Sequence, residues 1–122
     1  MHWDPNLPIY QQLRDKTVAA ILDGTLAEGE ALPSVRQVAV DFKVNPLTVS
    51  KAYQSLVDDD LIEARRGVGM FVREGAQARL LKSGRRHFLE TEWPRLAERI
   101  QQLGLSIEEL LAKQNTTEDQ DP

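Results

Sequence analysis

Small polar and basic side chains recur at helical spacing in residues 45–57, and their types suit contact with nucleic acid. Asn45 is a favourable helix cap, and Pro46 suits the first helical position, where a backbone N–H has no partner within the helix. An apolar stripe lies behind them: Val49, Ala52, Tyr53 and Leu56. The opposite face carries Leu47, Thr48 and Lys51. Such a helix can enter the DNA major groove, although most amphipathic surface helices share this pattern.

A second group of basic residues follows between Leu61 and Arg86. Two acidic residues, Glu63 and Glu74, stand against seven basic ones: Arg65, Arg66, Arg73, Arg79, Lys82, Arg85 and Arg86. Strand-like alternation at 61–65 and 70–73 around a glycine-containing loop predicts a β-hairpin. Basic residues at a glycine-rich tip can approach phosphates or the minor groove closely. A basic block of this kind is often only a solvated surface. It becomes a DNA-contacting surface if the fold places it beside the 45–57 helix.

The composition limits other kinds of chemistry. The 122-residue chain has no cysteine, which excludes disulfides, thiolate metal sites and cysteine nucleophiles. His2 and His87 lack partners at ligand spacing, and the carboxylates of residues 58–60 point in different directions, so we expect no metal site, no cofactor and no enzyme activity. The net charge of −4 does not decide against DNA, because the distribution of charge matters more than its total.

The start of the chain lacks the basic region and apolar run of a secretion signal. Its longest apolar run, Val18 to Leu22, is too short to cross a bilayer. We therefore expect a cytoplasmic protein with no membrane partner.

Three helices are predicted before the hairpin. The first spans 9–23 and ends at Gly24, and a loop at 25–33 follows, where a short strand around Ala31 and Leu32 is one option. A capping box at 34–37 opens a second helix, 35–42, and a short turn leads into the third. Two helices joined in this way have helix-turn-helix geometry, and the following hairpin completes the order of a winged-helix domain. The predicted fold is mainly α with a small β-hairpin.

Apolar residues recur at heptad spacing in the C-terminal part: Leu89, Trp93, Leu96, Ile100 and Leu103. This stripe either folds back on its own domain or packs against a second copy, and we favour the second copy because a lone helix would expose it. Pro94 kinks this helix or restarts it with Thr91 as cap. We predict a winged-helix domain at 1–75, a dimerisation segment at 76–113 and a disordered tail at 114–122.

Three motifs closely resemble the winged-helix domain of GntR-family bacterial transcription regulators. They are Leu32–Ala39, Val44–Tyr53 and Leu61–Val72, and the segment Pro8–Gln12 is similar to the start of that family's first helix. The short remainder is similar to the YtrA subfamily, whose C-terminal helices form dimers.

The resemblance implies DNA contacts by Arg36 and Thr48, and by Gly67 at the wing tip after Arg65 and Arg66. Many members have arginine where this chain has Pro46 and Ser50, and glutamate where it has Lys51, so this recognition helix carries fewer basic residues than is usual in the family. Our predicted DNA-contacting set is Arg36, Asn45, Leu47, Thr48, Lys51, Arg65, Arg66 and Gly67.

These observations favour a homodimeric, sequence-specific regulator, by resemblance a repressor, that binds a palindromic operator in double-stranded DNA. The alternative is a winged-helix module that binds protein partners and touches DNA weakly or not at all. No polar cluster singles out a pocket for a small effector, so no effector is assigned.

Overall fold

The computed structural model describes residues 2–120, with side chains described for residues 2–115. The elements in chain order are α1 (Ile9–Asp23), α2 (Val35–Phe42), α3 (Pro46–Asp58), β1 (Ile62–Arg65), β2 (Gly69–Val72), α4 (Ala76–His87), a π-helical turn (Phe88–Glu92), α5 (Trp93–Gln102) and α6 (Ile107–Gln120). The expected fold class, mainly helical with one antiparallel hairpin, is confirmed. The chain divides into two compact units after Lys82. The assignment of DNA-binding and dimerisation roles to separate segments stays a prediction.

The helices of the first unit begin and end where short-range signals predict. Gly24 ends α1 in the left-handed conformation, at φ 86°. The Ser34 hydroxyl accepts a hydrogen bond from the Gln37 backbone N–H at 3.1 Å. The Gln37 side chain donates to Asp41 instead of returning to Ser34, so only half of the predicted capping box forms. At α3, the Asn45 Oδ1 accepts from the Leu47 N–H at 2.9 Å, as its capping role requires.

The hairpin pairs β1 with β2 in the register Ile62 to Val72 and Arg65 to Gly69. The optional short strand near Ala31 is reduced to an isolated bridge, in which Ala31 pairs with Phe71 on the other side of β2. Backbone hydrogen bonds from Gly29 to Val72 and from Leu32 to Met70, both 2.8 Å, hold this segment in place. The free edge of β2 is therefore covered by the chain itself.

One hydrophobic core joins all elements of the winged-helix part. It contains Leu13 and Ile21 from α1, Val38 and Ala39 from α2, Val49, Ala52, Tyr53 and Leu56 from α3, and Leu32, Leu61, Ile62, Val72 and Ala76 from the segments between and after. The four α3 residues predicted to form its inner face are all buried. A face of this kind is held in place by tertiary packing more than by helix propensity.

Of the two options at Pro94, a restarted helix with Thr91 as cap is wrong, while a kink stays a prediction. The helix neither stops nor restarts there, and Thr91 is not a cap, because the backbone of Glu92 and Trp93 stays in the right-handed helical conformation. A π-helical turn precedes the proline, with the Trp93 N–H bonded to the Phe88 carbonyl. Proline has no N–H to donate to the preceding turn, and the π-helical turn lies directly before this missing hydrogen bond.

The last helix extends further than the sequence indicates. Gly104 follows α5 with φ 68°, and Ser106 and Glu109 form both bonds of a capping box, at 3.1 and 3.3 Å. The dimerisation segment was predicted to end at residue 113 and to be followed by a disordered tail, but α6 continues to Gln120. Residues 121–122 of the tail that we expected to be disordered lie outside the described residues.

No described residue after Ala76 is buried, so the second unit has no core of its own within the described range. Of the predicted dimer seam, Leu89, Leu96 and Leu103 are exposed, while Trp93 and Ile100 are half-buried. None of the described helices combines the length and apolar content that crossing a membrane requires.

Candidate nucleic-acid interface

The front of α3 is exposed along the helix axis while its back is sealed in the core. Leu47, Lys51 and Gln54 follow one another at spacings of four and three, and all three are exposed. Thr48 lies at the flank of this face and is half-buried. The helix therefore presents one apolar, one basic and one amide side chain in a row, with the apolar one nearest its N-terminus.

Lys51 is held at the side of this face by a residue that the sequence analysis missed. Its ammonium group lies over the ring of Tyr10 in α1, 4.1 Å from the ring centroid. A cation over an aromatic face is attracted to it electrostatically. Lys51 is therefore oriented by α1 as well as by its own helix.

Arg14 makes a second connection between α1 and α3. Its guanidinium donates to the Ser55 hydroxyl at 2.9 Å and to the Asp59 carboxylate at 2.6 Å. Arg14 follows Tyr10 by four residues, as Ser55 follows Lys51, so the two contacts lie one helical turn apart on both helices. This shared spacing is present in the sequence, but it has meaning only once α1 is known to lie against α3.

The wing tip is a tight turn, and the two adjacent arginines at its start have different contacts. The Val68 N–H bonds to the Arg65 carbonyl at 2.9 Å, and Gly67 takes φ 76°, a conformation that other residues rarely adopt. Arg65 pairs with Glu63 at 3.3 Å and lies over the Phe71 ring, 4.1 Å from its centroid. Arg66 is exposed and has no hydrogen bond or ion pair with any other described residue. Of these two exposed arginines, Arg66 is therefore the one without an intramolecular polar partner among the described residues.

The remainder of the basic block is partly used inside the fold. Arg73 pairs with Asp60 at 3.0 Å, and Arg79 donates to the carbonyls of Asp60 and Glu74. The block therefore does not act as one continuous basic surface. Arg36, in contrast, lies exposed in the first turn of α2 without a polar partner among residues 2–115.

The acidic residues that end α3 also have structural partners. Asp58 accepts from the Gln54 amide at 2.9 Å, Asp59 from Arg14, and Asp60 from Arg73. In the described part of the chain, no group of three or more His, Asp or Glu side chains is arranged to hold a metal ion.

The recognition helix and the wing are attached to each other through the backbone and the core. The Leu61 N–H bonds to the Leu56 carbonyl at 3.0 Å, and the Arg73 N–H bonds to the Leu61 carbonyl at 3.0 Å. Leu56, Ile62 and Val72 are all almost completely buried in the shared core. A displacement of α3 relative to the hairpin would therefore disrupt that core.

Comparison with known proteins identifies this arrangement. The model of the family described as "Bacterial regulatory proteins, gntR family" matches residues 9–72, just over half of the 122-residue chain. This chain belongs to the GntR family. Members of the family are DNA-binding transcription regulators and not enzymes. The resemblance stated from the three motifs is confirmed.

Two relatives from Bacillus subtilis match this GntR chain over most of their length. The HTH-type transcriptional regulator YhcF is 35% identical over 106 residues, which cover 85% of this chain and 84% of YhcF. The HTH-type transcriptional repressor YtrA is 34% identical over 103 residues, which cover 84% of this chain and 78% of YtrA. Both relatives point to the YtrA branch of the family.

Solved structures agree with this placement. A GntR-family transcriptional regulator from Listeria monocytogenes has a TM-score of 0.74 and 26% identity, covering 93% of this chain and 98% of that chain. The structure of AraR(DBD) in complex with operator ORR3 has a TM-score of 0.54 and 26% identity, covering 59% of this chain and 87% of that chain. The winged-helix part of this fold therefore resembles a domain that has been solved on DNA.

Proposed function

We propose that this GntR-family regulator is a homodimeric repressor that binds a palindromic operator in double-stranded DNA. In each subunit, α3 enters a major groove and the Arg66–Gly67 tip lies in the flanking minor groove. The observation that carries this proposal is that one core holds α3 and the hairpin together, while Leu47, Lys51 and Arg66 stay exposed. The protein acts in the cytoplasm.

The predicted contact residues have different roles on this proposal. Arg36 and Arg66 contact phosphates or the minor groove, since each is an exposed cation without an intramolecular polar partner among the described residues. Leu47, Thr48 and Lys51 lie near base edges and set the preference among sequences.

Asn45 acts through its cap on α3, and Arg65 supports the wing through Glu63 and Phe71. Gly67 permits close approach, because the space where its Cβ would lie is open.

The similarity to YtrA supports repression, since that relative is described as a repressor. A dimer is supported by the second unit, whose described residues lack a buried core and expose several large apolar side chains. Two-fold symmetry requires an operator with two half-sites about one helical turn, roughly 34 Å, apart.

The decisive experiment selects bound duplexes from a random pool and then titrates binding with salt. We expect one palindromic family of sequences, and log affinity should fall by about 0.9 per neutralised phosphate as log salt rises. Arg66→Ala should reduce that slope by about one and weaken binding to all duplexes. Lys16→Ala is the matched control, since it also removes one exposed cation but lies in α1, outside the predicted contact set.

The same titration tests the rival function, a winged-helix module for protein partners. The net charge of −4 and the presence of Pro46 and Ser50 in place of arginines favour that rival. The rival predicts that the affinity for duplexes does not change with salt concentration and that no duplex is enriched in the selection. It also predicts that Arg66→Ala and Lys16→Ala behave alike.

A further inference from the structure

We infer that Leu47 reads the C5-methyl group of a thymine in each operator half-site. This inference rests on the proposed binding of α3 in the major groove and specifies what the first turn of that helix recognises. It makes Leu47 a specificity-determining residue that acts by apolar contact, without a hydrogen bond.

Leu47 combines an exposed side chain with an anchored backbone. Its side chain is 77% exposed, the highest value among the large exposed hydrophobic side chains of the described residues. Its backbone is fixed, because the Leu47 N–H donates to the Asn45 Oδ1 at 2.9 Å at the start of α3. The fold therefore holds an apolar side chain in a defined place where it contributes nothing to the core.

The residues around Leu47 do not project long polar side chains from the first turn of α3. Pro46 has no N–H and no polar side chain, and Ser50 is short. Lys51, one turn later, is drawn to the Tyr10 ring at the side of the helix. The first turn of α3 therefore lacks the long guanidinium fork that reads guanine with two hydrogen bonds. Its projecting group is the isobutyl side chain of Leu47.

The DNA major groove offers one apolar group that suits a leucine side chain. Each of the four base pairs presents a different pattern of donors and acceptors there, and the thymine C5-methyl group is the apolar feature. Leucine can bury that methyl group, and burial of one such group corresponds to about a fourfold change in the dissociation constant. Cytosine at the same position would present an N4 amino donor, which leucine cannot accept.

The test replaces thymine by deoxyuridine, one position at a time, in the selected operator. Deoxyuridine keeps the pairing and removes the methyl group alone. We expect one thymine per half-site at which this change weakens wild-type binding about fourfold, and about sixteenfold when both half-sites are changed. Leu47→Ala should bind the thymine and deoxyuridine operators equally.

Val40→Ala is the matched control for Leu47→Ala. Val40 is also an exposed aliphatic residue, 67% exposed, but it lies on α2. This variant should keep the full sensitivity to deoxyuridine. Thermal unfolding followed by circular dichroism shows whether both variants are folded, and both should be, since neither residue is in the core.

Two kinds of failure are distinguishable. If Leu47→Ala keeps the wild-type sensitivity, or if no thymine methyl group affects wild-type binding, the inference is wrong while DNA binding stands. If no duplex is preferred over random sequence, the proposed function itself fails, and the inference fails with it.

Discussion

Tyr53 connects the recognition helix to the segment that leads into α2. Its ring is buried in the core, and its hydroxyl donates a hydrogen bond of 2.6 Å to the Pro33 carbonyl. Burial disfavours the charged phenolate and raises the pKa of Tyr53 to about 12. The residue is therefore both part of the apolar face of α3 and a polar connection to the preceding loop.

The raised pKa of Tyr53 predicts a loss of stability at high pH. An unfolded tyrosine has a pKa near 10, so between about pH 10 and pH 12 the folded chain binds the proton more tightly than the unfolded chain does. The contribution is complete below pH 10 and is lost as pH rises towards 12. A difference of about two pKa units corresponds to about 3 kcal/mol of the free energy of unfolding. Urea unfolding at pH 9 to 12 should show a steeper decline for wild type than for Tyr53→Phe.

Tyr10→Phe is the control for this measurement, because it removes a different hydroxyl group and leaves Tyr53 in place. It should keep the wild-type decline. Parallel pH profiles for wild type and Tyr53→Phe would show that ionisation of Tyr53 does not affect stability. At neutral pH the Tyr53→Phe variant should lose about 1 kcal/mol with the hydrogen bond to Pro33.

At the scale of elements, α3 depends on its N-terminal cap and on two neighbouring elements. Asn45 satisfies the Leu47 N–H, α1 contacts the outer side of α3 through Tyr10 and Arg14, and the Leu56 carbonyl binds the start of the wing. The exposed front of α3 is thus supported from its N-terminus, its side and its C-terminal end. A rigid support of this kind reduces the ordering that DNA binding would otherwise require.

Substitution of Asn45 separates its capping role from its nearness to DNA. Asn45→Ala should lower the free energy of unfolding by about 1 kcal/mol, because the Leu47 N–H loses its partner. Asn45→Asp should keep most of that stability, since aspartate caps as well as asparagine does. It should nevertheless weaken DNA binding, because it adds a negative charge beside the phosphates. Urea unfolding and operator titration at low salt measure the two effects.

Ser34→Ala is the control, since it removes the corresponding cap from α2. It should cost a similar free energy of unfolding. If Asn45→Asp binds the operator as tightly as wild type does, the N-terminus of α3 does not lie close to the DNA backbone.

The whole molecule combines a domain that has a core with a helical region that has none among its described residues. Among residues 2–115, the buried hydrophobic residues run from Leu13 to Ala76. In the described residues of the second unit, from Ser83 onward, seven large apolar side chains are exposed: Phe88, Leu89, Leu96, Leu103, Leu105, Ile107 and Leu111. Surface of this kind is typical of helices that pack against another copy.

A charge in the predicted seam should separate the subunits. Ile100→Glu should give monomers in sedimentation velocity, because an unpaired carboxylate in an apolar interface is strongly destabilising. Gln101→Glu on the same helix is the matched control, as it adds the same charge at an exposed position and should stay dimeric. A dimer that persists in Ile100→Glu would show that the seam packs within its own chain and not against a second copy.

Short-range chemistry within the sequence determined most of the elements. The first two helices have the predicted bounds, the third ends one residue later than expected, and the glycine loop joins two strands. Caps, proline positions and apolar periods act over a few residues, so they can be recognised without knowing what lies nearby in space. The family could be stated for the same reason, because its motifs are contiguous segments.

Only the tertiary structure decided which side chains are available. Arg65 and Arg66 are adjacent, identical in type and both exposed, yet Arg65 contacts Glu63 and Phe71 while Arg66 has no polar partner among the described residues. The contacts of Lys51 with Tyr10 and of Arg14 with Asp59 join residues more than forty positions apart. Such contacts depend on how helices pack against each other, which no local pattern specifies.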